Sequence, residues 1–512
     1  MSSLLDKNIQ LLLGWFMKKF IFAAFAVLTL ILVIMVLRAV MYGQGSTGDD
    51  IALPDVPAFD EVAALNHLSR AVQFKTITTE RGDPATIEAA QPWLNFHKWL
   101  EQTYPVMHKT LTREKIAQYT LLYTWQGCDA SLAPIMLMAH QDVVPVDSAT
   151  ASDWVKPPFE GGIDNDFIYG RGVLDDKGSL IGIVEAVENL AKSGFQPKRT
   201  ILIAFGHDEE TGGTGAQALV ALLKTRGIRP EAVIDEGMFV IEDSPLSKGA
   251  FGGIGISEKG FVTFKFVSDA IGGHSSQPPR NSANVQLAKA ILALENNQMP
   301  SYINSAPGRD TFKGLASKMP FARRFALANL WILGGVVNNQ LATIPAANAM
   351  VRTTMAPTML TGSVKENILP QKSTAHINFR IHPNDSAEKI FTHIERLIKD
   401  IEGVSVEPLE TGAIVSNPLP ISSTKTKTYN VLKSVAREIA GGENIPVVPM
   451  LVIAATDSRH SAKITENIYR FIPNRVSIEE IDGIHGTDEK MPIENMKYLV
   501  RGYMQIILAM DG

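Results

Sequence analysis

The chain has 512 residues, which is too long for one compact core and enough for two domains. Its net charge of −5 gives no reason to expect a nucleic acid as a partner. It contains a single cysteine, Cys128, which excludes an intrachain disulfide and a cysteine-based zinc cluster.

The first predicted element is an N-terminal membrane anchor. Lys18 and Lys19 precede an uncharged apolar run at residues 20–37, which nearly spans a hydrocarbon layer of roughly 30 Å. A cleaved signal peptide is the alternative, but its apolar region is usually about 7–15 residues long and ends at a small-residue cleavage site, for which this sequence offers a poor match. We therefore predict a cytoplasmic segment at residues 1–19 and a single transmembrane helix at residues 20–42. The basic flank favours a cytoplasmic N-terminus, with the body of the chain in a periplasm, a lumen or the exterior.

A linker rich in Gly, Pro and Asp is predicted at residues 43–57, followed by a domain at residues 58–256. In this domain, apolar runs typical of strands, such as residues 133–140 and 199–205, alternate with helical patterns, such as residues 179–194. This order predicts an α/β fold with a central, mostly parallel sheet and helices on both faces.

The pattern changes at residue 257. An alternating strand at residues 259–269 and an amphipathic helix at residues 281–297 begin a smaller α+β domain, which we predict to be inserted at residues 257–410 and call the inserted domain. Within it, residues 300–350 form an additional helical stretch, interpreted either as core of this domain or as a wall of a substrate pocket. Residues 411–512 are predicted to complete the first domain.

Five residues predict a metal site. They end four apolar segments or lie in a distal loop, and they are His140, Asp175, Glu210, Asp235 and His485. An α/β sheet places its chemistry at the carboxyl ends of buried strands, so we expect these side chains to meet. Carboxylate and imidazole ligands without thiolate favour a catalytic zinc site over a structural one.

Further acids lie beside the first and fourth ligands. Asp142 follows His140 by two residues, so on an extended segment both side chains point the same way, and Asp142 can accept the second ring N–H of His140. In the segment IDEG, Asp235 and Glu236 are adjacent, and we choose Asp235 as the ligand.

Two more pairs of adjacent acids supply the predicted bridging ligand, a further metal ligand and the general base. In GRGVLDDKG, Asp175 is predicted to bridge two metals, and Asp176 is expected to point away. In HDEETGG, Glu210 is the predicted ligand, and Glu209 is left to act as general base for metal-assisted hydrolysis.

These segments resemble the M20 family of metallopeptidases, within its carboxypeptidase S and peptidase M20 domain-containing 1 branch. The matching stretches include MAHQDVVPV, YGRGVLDDKGSL, HDEETGG, IDEG, GGHSSQPP and IHGTDEK, in family order. The resemblance implies two Zn²⁺ ions per chain bridged by Asp175. One zinc would take His140 and Asp235, and the other Glu210 and His485.

The resemblance also implies roles in the inserted domain, which would serve as lid and dimerisation domain. His274 matches a histidine that reaches the partner's active site in dimeric members, so a homodimer is expected. Asn367 and Arg380 match positions that contact substrate, and Arg459 in TDSRH is a further candidate for binding a substrate carboxylate.

The expected function is hydrolysis of the amide bond of peptides, in the manner of a carboxypeptidase, or of N-acyl amino acids, with the reverse condensation using the same groups. One alternative is a deacylase of a metabolic intermediate, against which the membrane anchor argues. Another is a non-enzymatic, membrane-anchored binding protein on a peptidase fold, against which the complete set of ligands and base argues.

Overall fold

The computed structural model describes most of the chain. The described residues are 2–43, 50–79, 87–243, 247–408, 415–442 and 444–512. Residues 44–49 of the predicted linker and the predicted boundary between residues 410 and 411 lie outside these ranges.

The first part of the α/β domain alternates helices and strands as predicted. Its elements are α2 (Glu61–Val72), α3 (Ile87–Thr103), α4 (Pro105–Thr110), β1 (Thr112–Ile116), β2 (Thr120–Trp125), β3 (Ile135–His140), β4 (Phe167–Tyr169), α5 (Lys177–Lys192), β5 (Ile201–Gly206), α6 (Thr214–Thr225), β6 (Ala232–Asp235), β7 (Val240–Ile241) and β8 (Phe251–Glu258), and α1 (Ser2–Met41) precedes them.

The next part holds two groups of elements, a small sheet with its helices and a run of four helices. They are β9 (Gly260–Asp269), β10 (Gly273–His274), α7 (Ala283–Glu295), α8 (Gly308–Leu315), α9 (Phe321–Ala328), α10 (Leu330–Ala342), α11 (Pro345–Val351), β11 (Thr354–Thr361), β12 (Ile368–Leu369), β13 (Lys372–Ile381), α12 (Ala387–Ile398) and β14 (Val404–Pro408).

The last part returns to the first sheet. Its elements are α13 (Lys427–Ala440), β15 (Val447–Val452), β16 (Ile468–Arg470), β17 (Arg475–Val476), α14 (Ile478–Gly483), β18 (Lys490–Pro492) and α15 (Asn495–Met510).

The central sheet is mixed, and its parallel centre positions the site. Within the described residues its order is β1-β2-β5-β3-β6-β16-β8-β7-β17, with β15 paired to β8. The centre, β5, β3, β6 and β16, is parallel, and the pairs β1–β2 and β2–β5 are antiparallel. Every residue of β3, β5 and β6 is buried, as expected for strands covered on both faces. The register pairs His140 with Gly206, so the carboxyl ends of β3 and β5 coincide.

The inserted domain is built on an antiparallel sheet of order β11-β13-β9-β14. Its core lies between that sheet and two helices, where Phe264 and Phe379 of the strands pack with Ala290 of α7 and Ile390 of α12. The alternating burial along β9 and β13 shows that one face of this sheet is covered and the other partly open.

The helices α8 to α11 account for the additional stretch at residues 300–350, and they pack away from this core. Phe312 of α8 and Leu341 of α10 share a cluster with Phe251, Val448 and Met450 of the central sheet. The segment is therefore core on the edge of the α/β domain, which neither of the two interpretations from the sequence had anticipated.

The helix α1 buries few of its side chains against the rest of the chain. Among its described side chains only Met35 and Ala39 are buried, and both lie near the end that contacts α9. The segment Leu13–Met41 is long and apolar enough to cross a membrane, by length and composition.

Candidate active site

The cluster forms where the central parallel strands end. His140 is the last residue of β3, and Gly206, its register partner, is the last residue of β5. A Cβ built on Gly206 would lie 2.2 Å from Oδ2 of Asp457, so only glycine lets the backbone approach this buried acid. The strand ends thus bring the first ligand and a buried carboxylate to one place.

Asp175 lies between two imidazoles. Its Oδ1 is 2.8 Å from Nε2 of His140, and its Oδ2 is 3.0 Å from Nε2 of His485. His485 Nε2 is also 3.1 Å from Oε1 of Glu210. Each oxygen of one carboxylate thus faces a different histidine, which is the donor arrangement that a bridging ligand requires.

In the segment IDEG, the geometry favours Glu236 over Asp235, which was the ligand chosen from the sequence. The Oδ2 of Asp235 accepts a hydrogen bond from the backbone N–H of Ser458 at 2.8 Å. Oε1 of Glu236 instead lies 3.7 Å from Nε2 of His140, and Glu236 belongs to one of the groups that could hold an ion, whereas Asp235 belongs to none within the described residues. The reason is the alternation of a strand: consecutive side chains point to opposite sides. We therefore replace Asp235 by Glu236 in the proposed ligand set.

Asp176 also differs from its expectation. It does not point away, because its Oδ2 accepts from the backbone N–H of His140 at 3.3 Å, and it lies with His140 and Glu236 in a group whose ligand atoms are close enough to hold an ion. Its Oδ1 is buried and has no hydrogen-bond partner in the part of the chain that the structure describes. Burial raises the pKa of Asp176 well above its usual range, and the charge of Glu236 adds to this effect.

Asp142 organises both sides of the cluster. Its carboxylate lies 3.4 Å from Nδ1 of His140, while the nearer partner of that nitrogen is the backbone oxygen of Asp142, at 3.0 Å. The backbone N–H groups of Glu209 and Glu210 donate to Asp142 Oδ1 and Oδ2 at 3.2 and 3.1 Å. Thr78 donates its hydroxyl to Oδ2 at 2.8 Å. Asp142 thus fixes the ring of His140 mainly through its backbone oxygen, and its buried carboxylate holds the turn that carries both glutamates.

The electrostatics of the cluster show an excess of negative charge. Burial raises the pKa of Glu236 to about 8, and the charge of Asp175 adds to the rise. Burial likewise raises the pKa of Glu209 well above its usual range, again with Glu236 contributing. Hydrogen bonds with Asp175 and then Glu210 raise the pKa of His485 to about 10. Protons are retained where carboxylates crowd together, and a metal cation would neutralise the same charge.

Two buried acids support the site and were missed from the sequence. Glu489 accepts hydrogen bonds from the backbone N–H groups of Gly172 and Leu174, each at 3.0 Å, and from that of Asp175 at 3.2 Å. It therefore holds the glycine-rich turn that presents Asp175. Asp457 is buried with neither oxygen hydrogen-bonded among the described residues. The signal for both was their position inside the stretches IHGTDEK and TDSRH.

The inserted domain brings His274 and Asn367 together, apart from the cluster. The short strands β10 and β12 pair His274 with Ile368, and Ser275 N–H donates to the backbone oxygen of Asn367 at 3.1 Å. The His274 ring is exposed, and its Nδ1 accepts from the backbone N–H of Ser276 at 3.1 Å. Within the described residues no hydrogen bond or ion pair joins His274 to the five predicted ligands or to Glu209.

Arg380 and Arg459 belong to different domains, and their positive charges act on each other. Arg380 lies on β13 of the inserted domain, and Arg459 lies in a 3-10 helix at Asp457–Lys463. Burial lowers the pKa of Arg380, and the positive charge of Arg459 lowers it further. Two guanidinium groups that repel each other form a natural site for an anion.

Together, the sheet, the inserted domain and the cluster at the strand ends define a metal-dependent hydrolase. The model of peptidase family M20/M25/M40 matches residues 136–509, and this chain belongs to that family. The family, the enzyme class and the fold expected from the sequence are confirmed.

Relatives with similar sequences cover nearly the whole chain. Probable carboxypeptidase S-like 2 of Dictyostelium discoideum is 37% identical over 488 residues, which is 93% of this chain and 91% of the relative. The human N-fatty-acyl-amino acid synthase/hydrolase PM20D1 is 34% identical, over 88% of each chain. Carboxypeptidase S of Saccharomyces cerevisiae is 32% identical, over 85% of this chain and 82% of the relative.

Solved structures show the same fold at lower identity. Human carnosine dipeptidase 1 superposes with a TM-score of 0.61 at 14% identity, over 88% of this chain and 96% of that chain. The M20 family metallo-carboxypeptidase Sso-CP2 from Sulfolobus solfataricus has a TM-score of 0.60 at 19% identity, over 88% of this chain and 100% of that chain.

Proposed function

We propose that this chain is a di-zinc amidohydrolase acting on N-acyl amino acids or on peptides with a free C-terminal carboxylate. The observation that carries the proposal is Asp175, whose two oxygens face His140 and His485 separately. His140 and Glu236 would hold one Zn²⁺, Glu210 and His485 the other, and Asp175 would bridge them. The imidazole and carboxylate donors fit zinc, and bound zinc supplies a Lewis acid that polarises a carbonyl and activates water at neutral pH.

Glu209 is the proposed general base. It lies next to the ligand Glu210, and within the described residues its carboxylate bonds to neither His140 nor His485. Burial raises its pKa, and as general base it would take a proton from the attacking water and return it to the leaving nitrogen. Asp142 acts as a positioning residue, because it holds the Glu209 backbone and lies beside the His140 ring.

The pair Arg380 and Arg459 supports a substrate with a free carboxylate. An amino-acid carboxylate would neutralise two guanidinium groups that now repel each other. Both substrate classes in the names of the relatives, carboxypeptidase substrates and N-fatty-acyl amino acids, are consistent with this. The reverse condensation would use the same groups.

The inserted domain is proposed to act as lid and dimerisation domain. His274 Nδ1 accepts a hydrogen bond, so in the neutral ring the hydrogen lies on Nε2 and can be donated to an oxyanion. Because His274 does not reach the cluster within its own chain, we propose that a homodimer supplies it in trans. Asn367, beside His274, is proposed to contact the substrate.

We propose that α1 is an uncleaved anchor, with the N-terminus cytoplasmic and the active site on the opposite side of the membrane. Its apolar segment is long enough to cross a bilayer, and residues 18 and 19 are lysines. This placement argues against a cytosolic deacylase of a metabolic intermediate.

The test is a metal-dependent activity screen of the full chain in detergent. N-fatty-acyl amino acids, dipeptides and the matching fatty-acyl amides without a carboxylate would be compared, with Glu209→Gln as the inactive control. We expect zinc-dependent turnover of substrates with a carboxylate and weak turnover of the amides. Turnover that ignores the carboxylate would contradict the role of the arginines. Absence of turnover for all three classes in zinc-loaded protein would favour the non-enzymatic binding protein.

A further inference from the structure

An exposed apolar surface lies on α9 and α10, next to the end of α1. Trp331 is 57% exposed, Ile332 48% and Val336 69%, while Val337 and Leu341 face the core. From residue 325 to residue 351 the sequence contains no Asp, Glu, Lys, Arg or His. This surface, made of Phe321, Trp331, Ile332 and Val336, is called the α10 surface below.

The helix α12 of the same chain faces water, and its exposed side has a different composition. In α12, Ile390, Ile394 and Ile398 face the core, and the exposed side carries charged residues such as Glu388 and Glu395. That is the usual pattern of a surface helix, in which charge covers the solvent face. Along α10 the buried stripe is present, but the exposed side carries apolar residues and the uncharged Asn339 and Gln340, so no charge covers the solvent face of this helix.

The contacts between α1 and the start of α10 determine the depth at which this surface would lie in a membrane. The amide of Asn329, between α9 and α10, donates to the backbone oxygen of Met35 at 3.0 Å, and Arg38 Nε donates to the backbone oxygen of Ala328 at 3.0 Å. The charge-free run of α1 ends at residue 37, so at about 1.5 Å per residue Met35 lies only about 3 Å inside that end. If α1 spans the bilayer, the start of α10 must lie at the boundary between hydrocarbon and headgroups.

The residues near the start of α10 are of the kind found at the boundary between hydrocarbon and headgroups. Trp331 hydrogen-bonds through Nε1 to Oδ1 of Asn329 at 3.3 Å and leaves the rest of its ring exposed. Tryptophan is enriched at membrane interfaces, where one part of the ring is apolar and one part polar. A cavity of about 390 Å³ beside it is lined by Arg38 and Lys313 as well as Leu330 and Trp331, so cationic and apolar side chains meet there.

We propose that the α10 surface is a second membrane contact, which inserts into the lipid headgroup boundary and fixes the orientation of the α/β domain on the bilayer. The inference rests on the proposed transmembrane anchor and goes beyond it, because a single helix followed by a linker would leave the body free to rotate. Its occupant is lipid, since the contact at Met35 places the surface at the edge of the apolar run of α1.

The test uses the full chain in phosphatidylcholine vesicles that contain phosphatidylserine. Cys128 is the only cysteine and is exposed, so Cys128→Ser gives a background without thiols. Trp331→Cys and Val336→Cys would then carry an environment-sensitive fluorophore. Ile271→Cys is the matched control, because Ile271 is an apolar residue with 86% exposure in the inserted domain. Thermal unfolding of each variant checks that it is folded.

We expect lipids with spin-labelled chains to quench the fluorophore at positions 331 and 336, while iodide in the water does not. The control at position 271 should behave in the opposite way. Failure of the chain to float with the vesicles would overturn the anchor and this inference together. Flotation with iodide quenching at positions 331 and 336 would overturn only the inference. Protection from both quenchers would show that protein, such as a second copy of the chain, covers the surface, and would also overturn it.

Discussion

At the scale of single residues, the proposed roles of metal ligand and general base fall on two adjacent glutamates, Glu210 and Glu209. The turn that carries both residues is held by Asp142, and within the described residues only Glu210 of the two lies within hydrogen-bond distance of a histidine. The two backbone N–H groups donate to the two oxygens of one carboxylate, which fixes the turn from which both side chains start.

Replacing Glu209 by Gln should lower turnover by about 10²- to 10⁴-fold without loss of zinc, because the amide removes proton transfer but no ligand. Glu210→Gln is the matched control and should lose metal together with activity. Elemental analysis of both variants beside kinetics makes the comparison. Loss of zinc from the Glu209 variant, with retention in the Glu210 variant, would mean that the two roles are exchanged.

The choice of Glu236 over Asp235 as a ligand can also be tested by measuring the zinc content. The wild-type chain should hold about two zinc ions, as expected for a bridged pair. Glu236→Gln should lower the zinc content, whereas Asp235→Asn should leave it nearly unchanged, because Asp235 is engaged by Ser458 rather than turned toward His140. Purified protein that never met a chelator and contains no transition metal would disprove the metal centre itself.

The residues of the site were predictable to the extent that each sits in a distinctive local sequence. The choice between Asp235 and Glu236 was not, because both are acids at the end of one strand and only the direction of each side chain separates them. Glu489 was missed because it binds backbone N–H groups, and those contacts are long-range.

At the scale of elements, periodicity predicted the helices and strands with a simple pattern and missed those shaped by their neighbours. The strand β8 contains Gly252, Gly253 and Gly255, a composition unfavourable for strands. A Cβ on Gly252 would lie 2.9 Å from the Cβ of Ala436, and one on Gly255 would lie 2.6 Å from a methyl of Val452. Close packing of helix and strand therefore requires glycine there, and the sequence alone does not show it.

The strand β11 was missed for a different reason. It is an exposed edge strand that contains Pro357, and its register shifts between Pro357 and Met359. Proline is tolerated at an edge or a bulge but weakens any sequence signal for a strand. The helices at residues 300–350 were recognised as helical, but their place on the central sheet depends on contacts with Phe251 and Val448 that no local pattern encodes.

The junction between the two domains gives a prediction on pH. Lys259 lies between β8 and β9, and its Nζ donates to the backbone oxygen of Arg352 at 2.9 Å. Burial, with the charge of Arg380 adding, lowers its pKa from 10.5 to about 7. Between these two values the unfolded chain binds more protons than the folded chain at this residue, so the residue's contribution to the unfolding free energy rises with pH.

Lys259→Met should remove that contribution. Compared with the wild type, the variant's free energy of unfolding should therefore be relatively higher near pH 7, and the advantage should shrink as the pH rises toward 10.5. Unfolding of both full chains in detergent across this range measures the difference. A difference that stays constant with pH would show that Lys259 keeps an ordinary pKa in the folded protein.

At the scale of the whole molecule, one chain carries both an apolar helix long enough to cross a membrane and a buried cluster of candidate metal ligands. We expect the full chain to remain in the membrane fraction after an alkaline wash, because the segment Leu13–Met41 supplies enough apolar length for one span. Determination of the N-terminus of the mature protein is the control. A mature chain that begins near residue 43 would show cleavage and would exclude the anchor.

The last prediction concerns the origin of His274. It belongs to the inserted domain, is exposed, and within the described residues makes no hydrogen bond to the metal cluster, whereas every proposed ligand belongs to the α/β domain. A donor to the oxyanion typically contributes about 10²- to 10³-fold to turnover. His274→Ala should therefore lower turnover by that order and leave the zinc content unchanged.

If a second subunit supplies His274, two inactive variants should restore each other. In a mixed dimer of His274→Ala and Glu209→Gln chains, one active site combines an intact Glu209 with the partner's intact His274, so part of the wild-type activity should return. Subunit exchange must be shown independently, for example with two different affinity tags. Exchange without recovery would disprove the arrangement in trans. A fully active monomer would do the same, and would assign His274 to closure of the inserted domain over the active site of its own chain.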